Sequence, residues 1–142
     1  MHRILIPFDG SAPAERAVAF ALGLFHEGLN TEIVLLSVQQ PPYVFGEVAV
    51  YVKVEVAQQM ALAAAERTLA LADPLFADKK VTVHRVARVG EVAETIVEVA
   101  KERQCDWIVM GSRGMGAFGN LLLGSVATKV VASTAAPVTV VH

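Results

Sequence analysis

The chain has 142 residues, 54% of them hydrophobic and 18% charged, with a net charge of −2 and a single cysteine, Cys105. That size and balance fit one folded domain with a sizeable core over residues 1–142 and exclude a disordered chain. The charge excludes a general attraction to nucleic acid or anionic membrane, the lone thiol excludes an internal disulfide, and no apolar run is long enough to span a bilayer. Met1-His2-Arg3 is followed by only Ile4-Leu5-Ile6 before Pro7, which makes a poor secretory leader. A soluble, cytoplasmic protein is expected.

The first element, Arg3 to Phe8, is an apolar run that reads as a buried strand. Asp9-Gly10-Ser11 follows as a turn, with Ser11 a suitable N-cap and Pro13 in the first helical turn, where its missing N–H costs nothing. Ala17, Val18, Ala21, Leu22 and Phe25 recur at helical spacing, and Gly28 ends that helix. Thr31 to Val38 reads as a second buried strand. Pro41-Pro42 and Gly46 mark a loop, and a helix is expected from near Val50, with Pro74 near its end.

Lys79 to Val89 reads as a third strand. Gly90 opens a helix with Val92, Ala93, Ile96, Val97 and Ala100 on one face. Glu91, Glu94, Glu98 and Lys101 form a solvated face opposite. Cys105 to Gly111 reads as a fourth strand, and a glycine-rich loop comes next. Ser125 to Ala136 reads as a helix, and Val138 to His142 as a last strand. Strands alternating with helices imply an α/β fold, a doubly wound parallel sheet with helices on both faces.

Ligands of open parallel sheets bind beyond the carboxyl ends of the strands. Pro7 to Gly10, Val38 and Gly111 to Gly114 all stand at such ends. Two phosphate-binding patterns run through the loop. Gly114, Gly116 and Gly119 spell G-x-G-x-x-G, but no acidic residue follows Asp106 to meet ribose hydroxyls, and the dinucleotide pattern lacks its context. Gly111, Gly114 and Gly124-Ser125 spell G-x2-G-x9-G-S, which ends at the start of the last helix. Free N–H groups and the helix dipole favour an anion there. From Trp107 onward the cationic side chains are Arg113 and Lys129, with no carboxylate side chain among them.

These residues resemble the universal stress proteins, specifically their ATP-binding branch. The likeness spans nearly the whole chain: ILIPFDGS at the first strand and turn, VGEVAETIVEVAKERQCDWIVMGSRG further on, and the glycine spacing without a gap. The resemblance implies strand order 3-2-1-4-5 and ATP at the carboxyl edge. It implies Asp9 and Val38 at adenine, Pro7 and Gly111 near ribose, and Met110, Gly114, Gly124, Ser125 and Val126 along the phosphates. Magnesium or manganese would come with the phosphates. It further implies a homodimer in which the last strands pair. An apolar edge strand without a carboxylate, through Val138, Val140 and Val141, leads to the same expectation. One departure is that Ala117-Phe118-Gly119-Asn120 lacks the Lys or Arg that the family often carries before LLLGS.

Asp9 fits both a cap and a ligand role, and Arg113 is a candidate phosphate contact or a solvated loop cation. His2, His26, His84 and Cys105 show no metal spacing, and no Ser/His/Asp set or general base has motif support. The sequence therefore reads as an ATP-binding sensor or accessory factor, at most a slow ATPase. The alternative is a dimeric interaction module without nucleotide.

Overall fold

Ile4, Leu5 and Ile6 are all fully buried. Successive strand residues face opposite sides, so three buried in a row require a sheet covered on both faces. The structure, a computed structural model, describes residues 1–41, 54–112 and 123–142. Its strands are β1 (His2–Pro7), β2 (Thr31–Gln39), β3 (Thr82–Val89), β4 (Trp107–Gly111) and β5 (Val138–Val141). Its helices are α1 (Ala12–His26), α2 (Val54–Ala70), the single turn α3 (Asp73–Phe76), α4 (Val92–Glu102) and α5 (Ser125–Ser133). The five strands are all parallel in the order β3-β2-β1-β4-β5. The fold is thus the α/β, doubly wound one that the alternation and the resemblance imply.

Two apolar layers hold it. Ile4, Ile6, Ile33 and Leu35 pack with Ala14, Ala17, Val18 and Ala21 of α1 and Leu69 of α2. On the other face Leu5, Val34 and Leu36 pack with Ala93, Ile96 and Val99 of α4 and Ala127 and Val130 of α5. The small Ala and Val side chains of the helices bring them close to the sheet. Thr31 is 4% exposed at the start of β2, and its hydroxyl has no hydrogen-bond partner among the described residues.

Several boundaries differ from the sequence reading. The expected start of the second helix at Val50 lies outside the described residues, and α2 is described from Val54. β3 begins at Thr82 rather than Lys79, because Asp78 turns at φ +60° and the Lys79 amide donates to the Phe76 carbonyl at 3.1 Å. β4 begins at Trp107 rather than Cys105. The Cys105 amide is held by the Ala100 carbonyl at 2.8 Å, within the exit from α4. α5 stops at Ser133, not Ala136: Thr134 is extended, and its hydroxyl accepts from the Ala136 amide at 3.1 Å.

At the amino edge, Arg3 pairs through Nε with Glu32, and His84 Nε2 stands 3.3 Å from the other Glu32 oxygen. Arg3 also donates from Nη1 to the Arg103 carbonyl at 2.6 Å, while its amide donates to Asp106 at 2.8 Å. One charge cluster thereby ties β1, β2, β3 and the α4–β4 turn together. Among the described residues no helix is long and apolar enough to cross a membrane.

Candidate functional site

The carboxyl edge of β1 is built by a short turn with two locks. Asp9 accepts from the Ser11 amide at 2.9 Å, and Ser11 Oγ accepts from the Ala14 amide at 3.3 Å to cap α1. Gly10 supplies the φ of +82° that the turn needs. Asp9 therefore has a structural role in its own turn, whatever else it does.

β4 is the neighbour of β1, and its end is equally fixed. The Ser112 amide donates to the Val141 carbonyl at 2.8 Å, and the Gly124 amide donates to the Ser112 carbonyl at 2.6 Å. Gly124, thirteen positions beyond Gly111 in the sequence, is thus returned to the end of β4, and α5 starts there. Gly124 is the N-cap of α5, with extended backbone (φ −74°, ψ 169°) and no side-chain cap. The dipole of α5 consequently points its positive end at the β4 terminus.

The expected site residues fall out as follows. Pro7 and Asp9 stand at the end of β1, Val38 near the end of β2, and Met110 and Gly111 at the end of β4. Gly124, Ser125 and Val126 stand at the start of α5. All lie at one end of three adjacent strands. Met110 is 4% exposed and belongs to the core under α4 and α5, and Val38 and Val126 pack against that same core. Those three offer little beyond backbone and an apolar wall. Arg113 and Gly114 lie outside the described residues, as do Gly116 and Gly119.

Gly111 is explained by packing. A Cβ there would stand 2.7 Å from the Pro13 Cβ and 2.9 Å from its carbonyl carbon. The resemblance placed this glycine near ribose; the first turn of α1 already occupies the side where a side chain would project.

Sequence reasoning also missed Glu91, which it placed on a solvated face. Its carboxylate is the N-cap of α4, accepting from the Ala93 amide at 3.3 Å and the Glu94 amide at 2.7 Å. The hydrogen bond from Glu94 holds this carboxyl below the usual glutamate range, with help from Ala93 and the Lys129 charge. Glu91 lies 3.8 Å from Lys129 on α5. The segment from Trp107 onward is free of carboxylate side chains in sequence, but the fold brings one alongside. A signal existed: Glu91 directly precedes the first apolar helical position, Val92.

A groove of about 440 Å³ runs between α4 and α5, lined by Glu91, Glu94, Val97, Glu98, Lys129 and Ser133 among others. Its carboxylates disfavour an anion, so the phosphate-compatible end of α5 is the Gly124 side. Among the described residues no three His, Cys, Asp or Glu side chains converge as metal ligands.

The universal stress protein family model matches residues 1–142. A universal stress protein of Thermus aquaticus is 35% identical over 139 residues, covering 98% of this chain and 97% of that protein. One from Mycolicibacterium smegmatis is 33% identical over 146 residues; this chain spans only about half of it, 48%. Universal stress protein UspA from Lactobacillus plantarum shares the fold with a TM-score of 0.82 at 22% identity, over 99% of this chain and 97% of that one. Two further structures of this fold are a universal stress protein in complex with cAMP (TM-score 0.62, 23% identity, 99% and 96% covered) and an Arabidopsis thaliana family member with AMP bound (0.61, 18%, 99% and 91%). With the family model matched over residues 1–142 and a 35% identical relative covered almost end to end, the chain belongs to the universal stress protein family.

Proposed function

We propose that the chain binds an adenine nucleotide, ATP, at the carboxyl edge of β1, β2 and β4 and acts as a nucleotide-dependent sensor or accessory factor. The observation that carries this reading is the return of Gly124 to the end of β4, which brings the last part of G-x2-G-x9-G-S beside its first. The start of α5, which no side chain caps, suits phosphate oxygens. The AMP and cAMP complexes of two proteins with this fold support an adenine nucleotide as the ligand class.

Adenine would lie by Asp9 and Val38, ribose by Pro7 and Gly111, and the phosphates by Gly124, Ser125 and Val126. Arg113 and Gly114 would belong to the loop over them. Magnesium or manganese would arrive on the phosphate oxygens. Backbone donors hold phosphates without supplying a base, so turnover should fall far below the enzyme median of about 10 per second. The protein would work as a homodimer in the cytoplasm. The competing reading is a dimeric interaction module without nucleotide, and the missing cation before Leu121 favours it.

Calorimetric titration with ATP and NAD, with and without magnesium, tests the assignment. Gly124→Val should abolish ATP binding. Ser125→Ala should weaken it by about 1.5–3 kcal/mol if the hydroxyl meets a charged oxygen. Gly116→Ala and Gly119→Ala should do much less. Tighter binding of NAD than ATP, or loss of binding in Gly116→Ala with Gly124→Val unaffected, would overturn it. A protein that carries no nucleotide through purification and binds none on titration would favour the interaction module.

A further inference from the structure

A site made of backbone amides leaves open what meets the outer phosphates of a di- or triphosphate. Among the described residues from Trp107 onward, Lys129 is the one lysine or arginine. It follows Ser125 by four positions on α5, so the two side chains share a helix face with Cβ atoms about 5–6 Å apart. Helical side chains lean toward the N-terminus, which directs the lysine stem toward the Gly124–Ser125 end. Its Nζ stands 3.8 Å from Glu91 Oε1 at the start of α4.

Glu91 is a fixed anchor because it caps α4 through two backbone amides. Lys129 is a loose partner: its side chain is 66% exposed, against 39% for Glu91. Exposed pairs of this kind contribute little, so exchanging one for a stronger partner costs little. A phosphate carries more charge than a carboxylate, and charge-assisted bonds to it are stronger than neutral ones. The groove between α4 and α5 gives the lysine room to turn.

We infer that Lys129 is a specificity-determining residue of the nucleotide site, resting on Glu91 when the site is empty and turning to the outer phosphates of a nucleoside di- or triphosphate. The inference depends on the nucleotide reading above. A monophosphate, met by the amides at the start of α5, gains nothing from this lysine. A triphosphate does, and Glu91 competes for it.

The test is titration of the unmutated protein, Lys129→Gln, Lys129→Arg, Glu91→Gln and the double variant Glu91→Gln/Lys129→Gln with AMP, ADP and ATP. Lys129→Gln should weaken ATP about tenfold while AMP changes by less than about twofold. Lys129→Arg, which keeps the charge, should retain the preference for ATP. Glu91→Gln should tighten ATP several-fold, and that gain should vanish when Lys129 is also Gln. Equal weakening of AMP and ATP by Lys129→Gln would overturn the inference. So would a Glu91→Gln gain that persists in the double variant, since the carboxylate would then repel phosphate directly. If the unmutated protein binds none of the three nucleotides, the underlying reading fails and this one with it.

Discussion

Pro13 in the first turn of α1 occupies the space where Gly111, at the end of β4, would carry a side chain: a Cβ on Gly111 would stand 2.7 Å from the Pro13 Cβ. Two other Pro13 atoms, its carbonyl carbon and oxygen, lie at 2.9 and 3.1 Å, so the obstacle is backbone as well as ring. Gly111→Ala should therefore destabilise the unliganded protein by about 1–3 kcal/mol, the usual cost of overpacking. Denaturant unfolding without nucleotide checks this. An unchanged midpoint would return Gly111 to a purely ligand-dictated role.

That contact illustrates which parts of the molecule are legible in sequence. The strands could be read because β1, β2 and β4 are continuous apolar runs buried on both faces, and Ser11 could be read because its cap is local. Pro13 and Gly111 are 98 positions apart, and only the pairing of β1 with β4 brings them together. Glu91 was misread for a related reason. Its i, i+3, i+7 spacing with Glu94 and Glu98 is that of a solvated stripe, whereas its N-cap role depends on where the helix begins. The extent of α5 was overestimated because Thr134-Ala135-Ala136 has no breaker until Pro137; the end is set by the Thr134 hydroxyl turning back on Ala136.

The hydroxyl of Thr31, unpaired among the described residues, gives a prediction of opposite sign. Burying a hydroxyl without a partner costs about 1–3 kcal/mol, and an apolar group of the same shape removes that cost. Valine keeps the β-branched outline and suits a strand. Thr31→Val should raise stability by about 1 kcal/mol, read as a higher denaturant midpoint at constant slope. A destabilised variant would mean that the hydroxyl has a partner in solution, an ordered water being the obvious one.

The Arg3–Glu32–His84 cluster sets an acid limit on stability. The hydrogen bond from Arg3, then that from His84, holds the Glu32 carboxyl below the usual glutamate value of 4.5. A carboxyl lowered on folding contributes stability that is fully present above the unfolded value and is lost as pH falls through the folded one. Glu32→Gln should therefore be less stable at neutral pH and lose less on acidification below about pH 4.5. The difference between the two proteins should shrink in high salt, since Arg3 is 38% exposed on its side chain. Parallel stability curves for the two proteins from neutral to acid pH would exclude a contribution from this carboxyl.

The last expectation concerns β5. It is an edge strand, paired on one side with β4. The carbonyls of Pro137 and Val141 accept from the amides of Ile108 and Ser112, so the alternate residues that face β4 are 137, 139 and 141. The N–H and C=O of one strand residue point the same way, which turns those of Val138 and Val140 to the open edge. No carboxylate on the strand discourages pairing. A second copy, running antiparallel about a two-fold axis, would satisfy both valines in each chain. The proposed homodimer thus uses the backbone of Val138 and Val140, with Val141 contributing to the core under α1. Val140→Pro deletes one outward donor and leaves the β4 ladder intact, so it should convert a dimer into a folded monomer. Light scattering at micromolar concentration, with circular dichroism to confirm the fold, measures both. An unmutated protein that is monomeric, or a Val140→Pro variant that remains a dimer, would rule out this edge as the interface.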